Sequence, residues 1–96
     1  MSSPVEAAFA EAVRLHQLGD HAAAGAAYRR VLDLNPAHPG ALSNLGVIAA
    51  RDGRAVDAAR YYREAIAVNP GQLDAHFNLG NLFRKLGLPA DAAAAY

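Results

Sequence analysis

The sequence predicts an all-α protein assembled from repeated helical hairpins, and three observations lead to that prediction. Alanine, the residue with the highest helix propensity, supplies 24 of the 96 residues. Glycine and proline recur at fixed places, where they form turns and end helices. The same residues return after 34 positions, as in helical repeat proteins, whose units span about 20–45 residues. The recurring residues are Asn35-Pro36 with Asn69-Pro70, Leu45-Gly46 with Leu79-Gly80, Asn44 with Asn78, Ala58 with Ala92, and Gly19 with Gly53 and Gly87.

This period divides the chain into three units that follow a short lead. Residues 1–4 form the lead, and the units comprise residues 5–38, 39–72 and 73–96. The third unit stops inside its second predicted helix, so the chain carries about 2.7 repeats. We therefore expect a piece of a longer array, whose last unit has an uncovered apolar face that associates with other copies.

Local signals predict two helices in each unit. Ser3, followed by Pro4 and Glu6, matches a capping box with proline at the first helical position, so the first helix begins there. Gly19 is suited to the left-handed conformation that closes a helix. Asp20 directly after it is suited to cap the second helix. The first unit is therefore predicted to be a helical hairpin.

Proline ends the second helix of each complete unit. The residue before a proline is disfavoured in the helical conformation, and proline has no N–H to donate. Asn35-Pro36 therefore ends the hairpin of the first unit, and Asn69-Pro70 ends that of the second. No segment is left for a strand. The turns inside the second and third units are predicted at Gly53 and Gly87.

Small and aromatic residues fall at fixed offsets within the units. They are Leu45, Gly46, Gly53, Ala58, Tyr62, Ala65 and Pro70 in the second unit, and Leu79, Gly80, Phe83, Gly87, Ala92 and Tyr96 in the third. The first unit is weaker, with Glu11 in place of leucine and Ala12 in place of glycine. These offsets resemble the tetratricopeptide repeat, including its form in bacterial proteins and in O-linked N-acetylglucosamine transferases. The resemblance implies antiparallel hairpins stacked as a right-handed α-solenoid.

The small residues have a packing reason. Gly46 and Ala58 are predicted to lie where the two helices of the second unit cross, with Tyr62 filling the space beside them. A larger residue there would force the helices apart, and overpacking of this kind costs about 1–3 kcal/mol. The equivalent residues in the third unit are Gly80, Ala92 and Tyr96.

The composition excludes several classes of function. Nine basic and nine acidic residues give a net charge of zero, so no strong field favours nucleic acid or an anionic membrane. No apolar stretch approaches the roughly 20 residues of a membrane-spanning helix. The first residues lack the features of a secretory signal. We therefore expect a cytoplasmic protein with neither a nucleic-acid nor a membrane partner.

Metal binding and catalysis are also disfavoured. The chain contains no cysteine, and its histidines are not spaced three or four residues apart on one helix, as a helical zinc site requires. Ser43 lacks the motif of a nucleophile elbow, and no sheet would present it. We expect no catalytic residue, no metal and no cofactor. The histidines are His16, His21, His38 and His76.

The resemblance also implies a binding surface. In tetratricopeptide arrays the first helices of successive units line a concave groove that holds an extended peptide or a partner helix. Transferred to this chain, the groove would be apolar at one end and rich in amides and basic residues at the other. The residues assigned to peptide binding are Phe9, Val13, Asn44, Val47, Arg51, Phe77, Asn78, Asn81, Arg84 and Lys85.

Asn44 and Asn78 allow two interpretations. Primary amides donate to and accept from a peptide backbone, so a row of them binds an extended chain, as in the asparagine ladder of O-linked N-acetylglucosamine transferases. Alternatively, both are solvated residues that the duplication copied. A carboxylate clamp for chaperone tails is disfavoured, because Phe9, Val13 and Asp74 occupy places that need basic or amide residues.

The basic residues of the groove allow two interpretations as well. Arg51, Arg84 and Lys85 attract an acidic partner segment, or they form a solvated face that Asp52 and Asp74 neutralise. Other charged residues are predicted to form exposed near-neighbour ion pairs worth about 0.2–0.5 kcal/mol each. Those residues are Arg29 and Arg30 beside Asp33, and Arg60 and Arg63 beside Asp57 and Glu64.

Two functions follow from these predictions. The first is a non-catalytic module that binds a peptide or partner protein in its groove, as an adaptor within a larger protein whose catalytic part, for example a glycosyltransferase, lies elsewhere. The second is a scaffold that assembles with copies of itself through its last unit. The first is the preferred hypothesis.

Overall fold

A computed structural model describes residues 3–87 of the chain, and this part consists of helices joined by short connecting segments. The predicted fold class is confirmed, because the described residues form two complete hairpins and one further helix, with no strand among them. The helices are α1 (Pro4–Gln17), α2 (His21–Leu34), α3 (Pro39–Arg51), α4 (Ala55–Val68) and α5 (Leu73–Lys85).

The predicted helix starts in the first unit are confirmed by their caps. The side chain of Ser3 accepts a hydrogen bond from the N–H of Glu6 at 3.1 Å, with Pro4 in the first turn. The side chain of Asp20 accepts from the N–H of Ala23 at 3.2 Å. Each cap satisfies a backbone donor that has no partner within the helix.

The predicted turns are confirmed as well. Gly19, Gly53 and Gly87 have φ values of 82°, 78° and 72°, in the left-handed region that glycine adopts without strain. Asn35 and Asn69 directly follow α2 and α4 and are extended. Their side-chain oxygens accept backbone N–H groups two residues further on, so each stabilises the turn into the next helix.

The second unit closes around its glycine as predicted. A Cβ atom on Gly46 would lie only 2.6 Å from Cδ1 of Tyr62, so the ring packs directly on the backbone of α3. Ala58 is fully buried in the same cluster. The corresponding prediction for Gly80 depends on Ala92 and Tyr96, which lie outside the described residues.

The predicted ion pairs of Asp33 with Arg29 and Arg30, and of Asp57 with Arg60, are not found among the described residues. Asp33 forms no ion pair with a described residue, although Arg29 and Arg30 precede it by four and three positions. Asp57 pairs with Arg54 at 3.8 Å. Arg60 instead lies over the ring of Tyr61, 5.2 Å from its centroid.

Candidate functional site

A groove of about 420 Å³ runs between α3 and α5. These are the first helices of the second and third units, so the groove lies on the face where the sequence predicts binding. Five of the ten predicted binding residues line it: Val47, Arg51, Asn78, Asn81 and Lys85. The complete lining is Val47, Ala50 and Arg51 from α3, Tyr62 from α4, and Asn78, Asn81, Leu82 and Lys85 from α5.

Side-chain bonds hold the first turns of α3 and α5 together. Gln72, the residue before α5, donates from Nε2 to the carbonyl oxygen of Pro39 at 3.2 Å. Ser43 is buried and donates a long hydrogen bond of 3.5 Å to the carboxylate of Asp74. Because both bonds lie near the helix N-termini, the C-terminal turns that carry Arg51 and Lys85 border the groove without such links.

The side of α5 that faces the groove is polar. Asn78, Asn81 and Lys85 are three and four residues apart, which places them on one face of a helix. They span about 10 Å at the helical rise of 1.5 Å per residue. The two amides each offer donors and an acceptor. This face therefore suits an extended backbone better than an apolar helix.

The floor of the groove is apolar and buried. Leu82 and Tyr62 are 6% and 2% exposed, respectively. Burial, together with the negative charge of Asp74, raises the pKa of Tyr62 to about 12, so its hydroxyl stays protonated at physiological pH. The groove thus combines a neutral floor with amides and cations at its rim.

Two predicted binding residues of α1, Phe9 and Val13, pack against the core that the first unit forms with α3. The ring of Phe9 lies 4.6 Å from that of His38 and 6.0 Å from that of Tyr28. It also approaches Gly40 so closely that a Cβ there would be 2.8 Å from the ring. Val13 is half-buried against the same core. Part of their apolar surface is therefore covered.

Asn44 differs from its repeat equivalent Asn78. The side chain of Asn44 hydrogen-bonds Tyr28, which opposes the rise in the pKa of Tyr28 that burial causes. Nδ1 of His16 lies 2.9 Å from the same tyrosine hydroxyl. Asn44 thus belongs to a polar network beneath the surface, whereas Asn78 lines the groove.

The remaining predicted residues lie beside the groove. Phe77 is 67% exposed, and Arg84 is exposed, and neither lines the cavity. Leu82 and Tyr62 line the groove but were not among the predicted residues, because their positions in the repeat indicated core packing. Their repeat equivalents Ile48 and Tyr28 are buried too, so nothing in the sequence marked the second pair as a groove floor.

A second cavity of about 440 Å³ lies between α4 and α5 on another face. It is lined mainly by alanines and by Val56, Phe83 and Leu86, with Arg60, Arg63 and Glu64 at its rim. Leu86 is the penultimate residue of the described chain. Because residues 88–96 follow directly and are not described, this cavity does not indicate a partner.

Two negative findings apply to residues 3–87. No cluster of three or more histidine, cysteine or acidic residues is arranged to hold a metal ion. Among these helices, none has the length and hydropathy needed to cross a membrane.

The fold and the groove together define a helical-repeat protein that presents a cleft between successive hairpins. The tetratricopeptide repeat family model matches residues 9–71 and 57–96, and the chain belongs to this family. No curated protein sequence matches the chain significantly.

Solved structures support the same assignment. An O-GlcNAc transferase from Thermobaculum terrenum is 32% identical, with a TM-score of 0.80 over 86% of this chain and 17% of that one. The MamA protein is 26% identical, with a TM-score of 0.83 over 96% of this chain and 50% of that one. The globular C-terminal domain of LpoP from P. aeruginosa is 26% identical, with a TM-score of 0.75 over 99% and 93%. The chain thus spans half or less of the first two.

Proposed function

We propose that this chain is a non-catalytic module that binds an extended segment of a partner protein in the groove between α3 and α5. Tetratricopeptide repeats are protein-interaction modules, and this is the coarse function that the family gives. The observation that supports the specific site is that five of the residues predicted from the sequence line one groove, which has an apolar floor.

The chemistry of the groove favours binding over catalysis. Its only groups besides amides and aliphatic side chains are Arg51, Lys85 and the hydroxyl of Tyr62. General acid–base catalysis needs a group with a pKa near the working pH, and burial moves the pKa of Tyr62 away from it, to about 12. These groups suit recognition of a backbone and its charges.

Replacement of the two groove amides tests this proposal. Asn78→Ala/Asn81→Ala removes donors and acceptors from the rim, so each lost hydrogen bond weakens partner binding by about 0.5–1.5 kcal/mol. Gln17→Ala is the matched control, because Gln17 is an exposed amide at the repeat position of Arg51, on α1. Quantitative mass spectrometry of proteins retained from a lysate compares the three chains. A groove site would be contradicted if Gln17→Ala lost the same partners as the double variant, or if neither variant lost any.

Self-association is the second candidate function. The observation in its favour is two exposed apolar side chains, since Val56 is 84% exposed and Leu86 is 50% exposed. Exposed apolar patches often mark interfaces. Light scattering at about millimolar concentration separates the two functions: a monomer that still binds partners excludes the scaffold, whereas a mass that falls on Val56→Glu supports it.

A further inference from the structure

Two cations border the same end of the groove. Arg51 and Lys85 are 34 residues apart, so they occupy equivalent positions in the last turns of α3 and α5. Both line the cavity. No carboxylate lines it among the described residues, and the exposed Arg84 lies beside Lys85. Positive charge is therefore concentrated at the C-terminal ends of the two helices.

Neighbouring acids do not cancel this charge. Asp52 lies 3.6 Å from Arg51, but both side chains are about half-exposed, so water screens the pair. Lys85 forms no ion pair with a described residue. Asp74 lies at the opposite end of α5, about 16 Å away along the helix axis. It accepts hydrogen bonds from Ser43 and from the N–H of Ala75. Neither acid thus forms an ion pair with Lys85.

The attraction of cations to the C-terminal end of a helix explains only part of this arrangement. Basic residues in a last turn are favoured by the partial negative charge of the helix C-terminus. That preference accounts for a cation in each helix, but any exposed face of the last turn would serve it. It does not require Arg51 and Lys85 to border a cavity with an apolar floor and two amides.

We propose that the groove selects an acidic segment of the partner, with an apolar side chain next to its carboxylates. The apolar side chain packs on Leu82 and Val47, the segment's backbone bonds the amides, and its carboxylates face the cations. The inference rests on the proposed function, since it assigns a partner chemistry to the same groove. Complementary charge of this kind orients a partner and speeds encounter.

A display library of random heptapeptides with a fixed central leucine tests the selectivity. The library is selected on the immobilised full chain and sequenced, and retained peptides are then titrated individually. We expect the retained pool to be enriched in Asp and Glu. Arg51→Gln/Lys85→Gln is expected to weaken these peptides about tenfold, since two exposed charge pairs are lost. Raising the salt concentration is expected to weaken wild-type binding in the same direction.

Arg29→Gln/Arg30→Gln is the matched control, because it removes two exposed cations from α2, outside the groove. It is expected to bind like wild type. Thermal unfolding of both variants checks that they fold. Loss of the attraction between a cation and the helix C-terminus would change only stability and would leave the affinity of the folded chain unaltered.

Two kinds of failure are distinguishable. The first is read from the NMR amide resonances of Val47, Asn78 and Asn81. If neutral peptides shift these resonances as strongly as acidic peptides do, the acidic selectivity is overturned and the groove site is kept. Equal affinity of Arg51→Gln/Lys85→Gln and Arg29→Gln/Arg30→Gln for acidic peptides would likewise overturn the acidic selectivity and keep the groove site. The second failure is a library from which nothing is retained, or retained peptides that shift the amide resonances only of residues outside the groove. Either result would overturn both this inference and the proposed function.

Discussion

The two complete units bury a tyrosine at the same repeat position but surround its hydroxyl differently. Tyr28 is fully buried, and its hydroxyl contacts His16 and Asn44. Tyr62 is 2% exposed, and its hydroxyl has no hydrogen-bond partner within residues 3–87. It faces the negative charge of Asp74, which together with burial raises its pKa to about 12.

The difference arises at positions that the repeat does not conserve. His16 in α1 corresponds to Ala50 in α3, 34 residues later. The imidazole of His16 occupies the space beside Tyr28, whereas Ala50 lines an open groove beside Tyr62. One small residue in place of a ring thus accompanies the cleft between the second and third units.

The largest expected effect tests whether the second unit can adopt the packing of the first. Gly46→Ala copies Ala12, but its Cβ would overlap the ring of Tyr62. We expect it to lower the free energy of unfolding by about 1–3 kcal/mol, as for other overpacked cores. Urea denaturation measures the change.

Gly25→Ala is the matched control for this substitution. Gly25 also lies within a helix, but a Cβ there would make only an ordinary contact of 3.6 Å with Arg29. Alanine should therefore stabilise α2 by about 0.5–1 kcal/mol, because it restricts the unfolded chain. A stabilising Gly46→Ala would show that Tyr62 moves freely and that the two units are interchangeable.

The sequence was sufficient for the fold because the fold depends on local signals. Gly19 and Asp20 determine a turn and a cap within a few residues of themselves, and the 34-residue period repeats this hairpin. The groove depends on contacts between helices. Asn44 and Asn78 are equivalent in sequence, but only the structure shows that Tyr28 engages Asn44. Likewise, only the structure shows that the ring of Phe9 packs on His38.

The second prediction removes each tyrosine hydroxyl in turn. Tyr28→Phe leaves His16 and Asn44 without their shared partner, so we expect it to lower the free energy of unfolding by about 1–2 kcal/mol. Tyr62→Phe removes a hydroxyl without such partners and is expected to change stability by less than about 0.5 kcal/mol. Equal losses in urea denaturation would contradict the difference between the two units.

The third prediction concerns the caps of the second helices. Asp20 caps α2 with its side chain, whereas the equivalent Arg54 makes no such bond at the start of α4. Asp20→Ala is expected to cost about 0.5–2 kcal/mol, and Arg54→Ser is expected to gain up to about 1 kcal/mol. Thermal unfolding monitored by circular dichroism measures both, and a loss of stability in Arg54→Ser would show that the Arg54–Asp57 pair matters more than the missing cap.

The smallest expected effect is the pH dependence that His16 gives to the first unit alone. Burial, and then the nearby His21, lower the pKa of His16 below its ordinary value of 6.5. As the pH falls below that value, the unfolded chain takes up the proton before the folded chain does, so stability decreases until the pH is below the folded pKa. His16→Ala, which copies Ala50, removes this contribution. Urea midpoints measured between about pH 7.5 and about pH 5 should therefore fall more steeply for wild type than for the variant, whereas parallel curves would show that His16 titrates equally in both states.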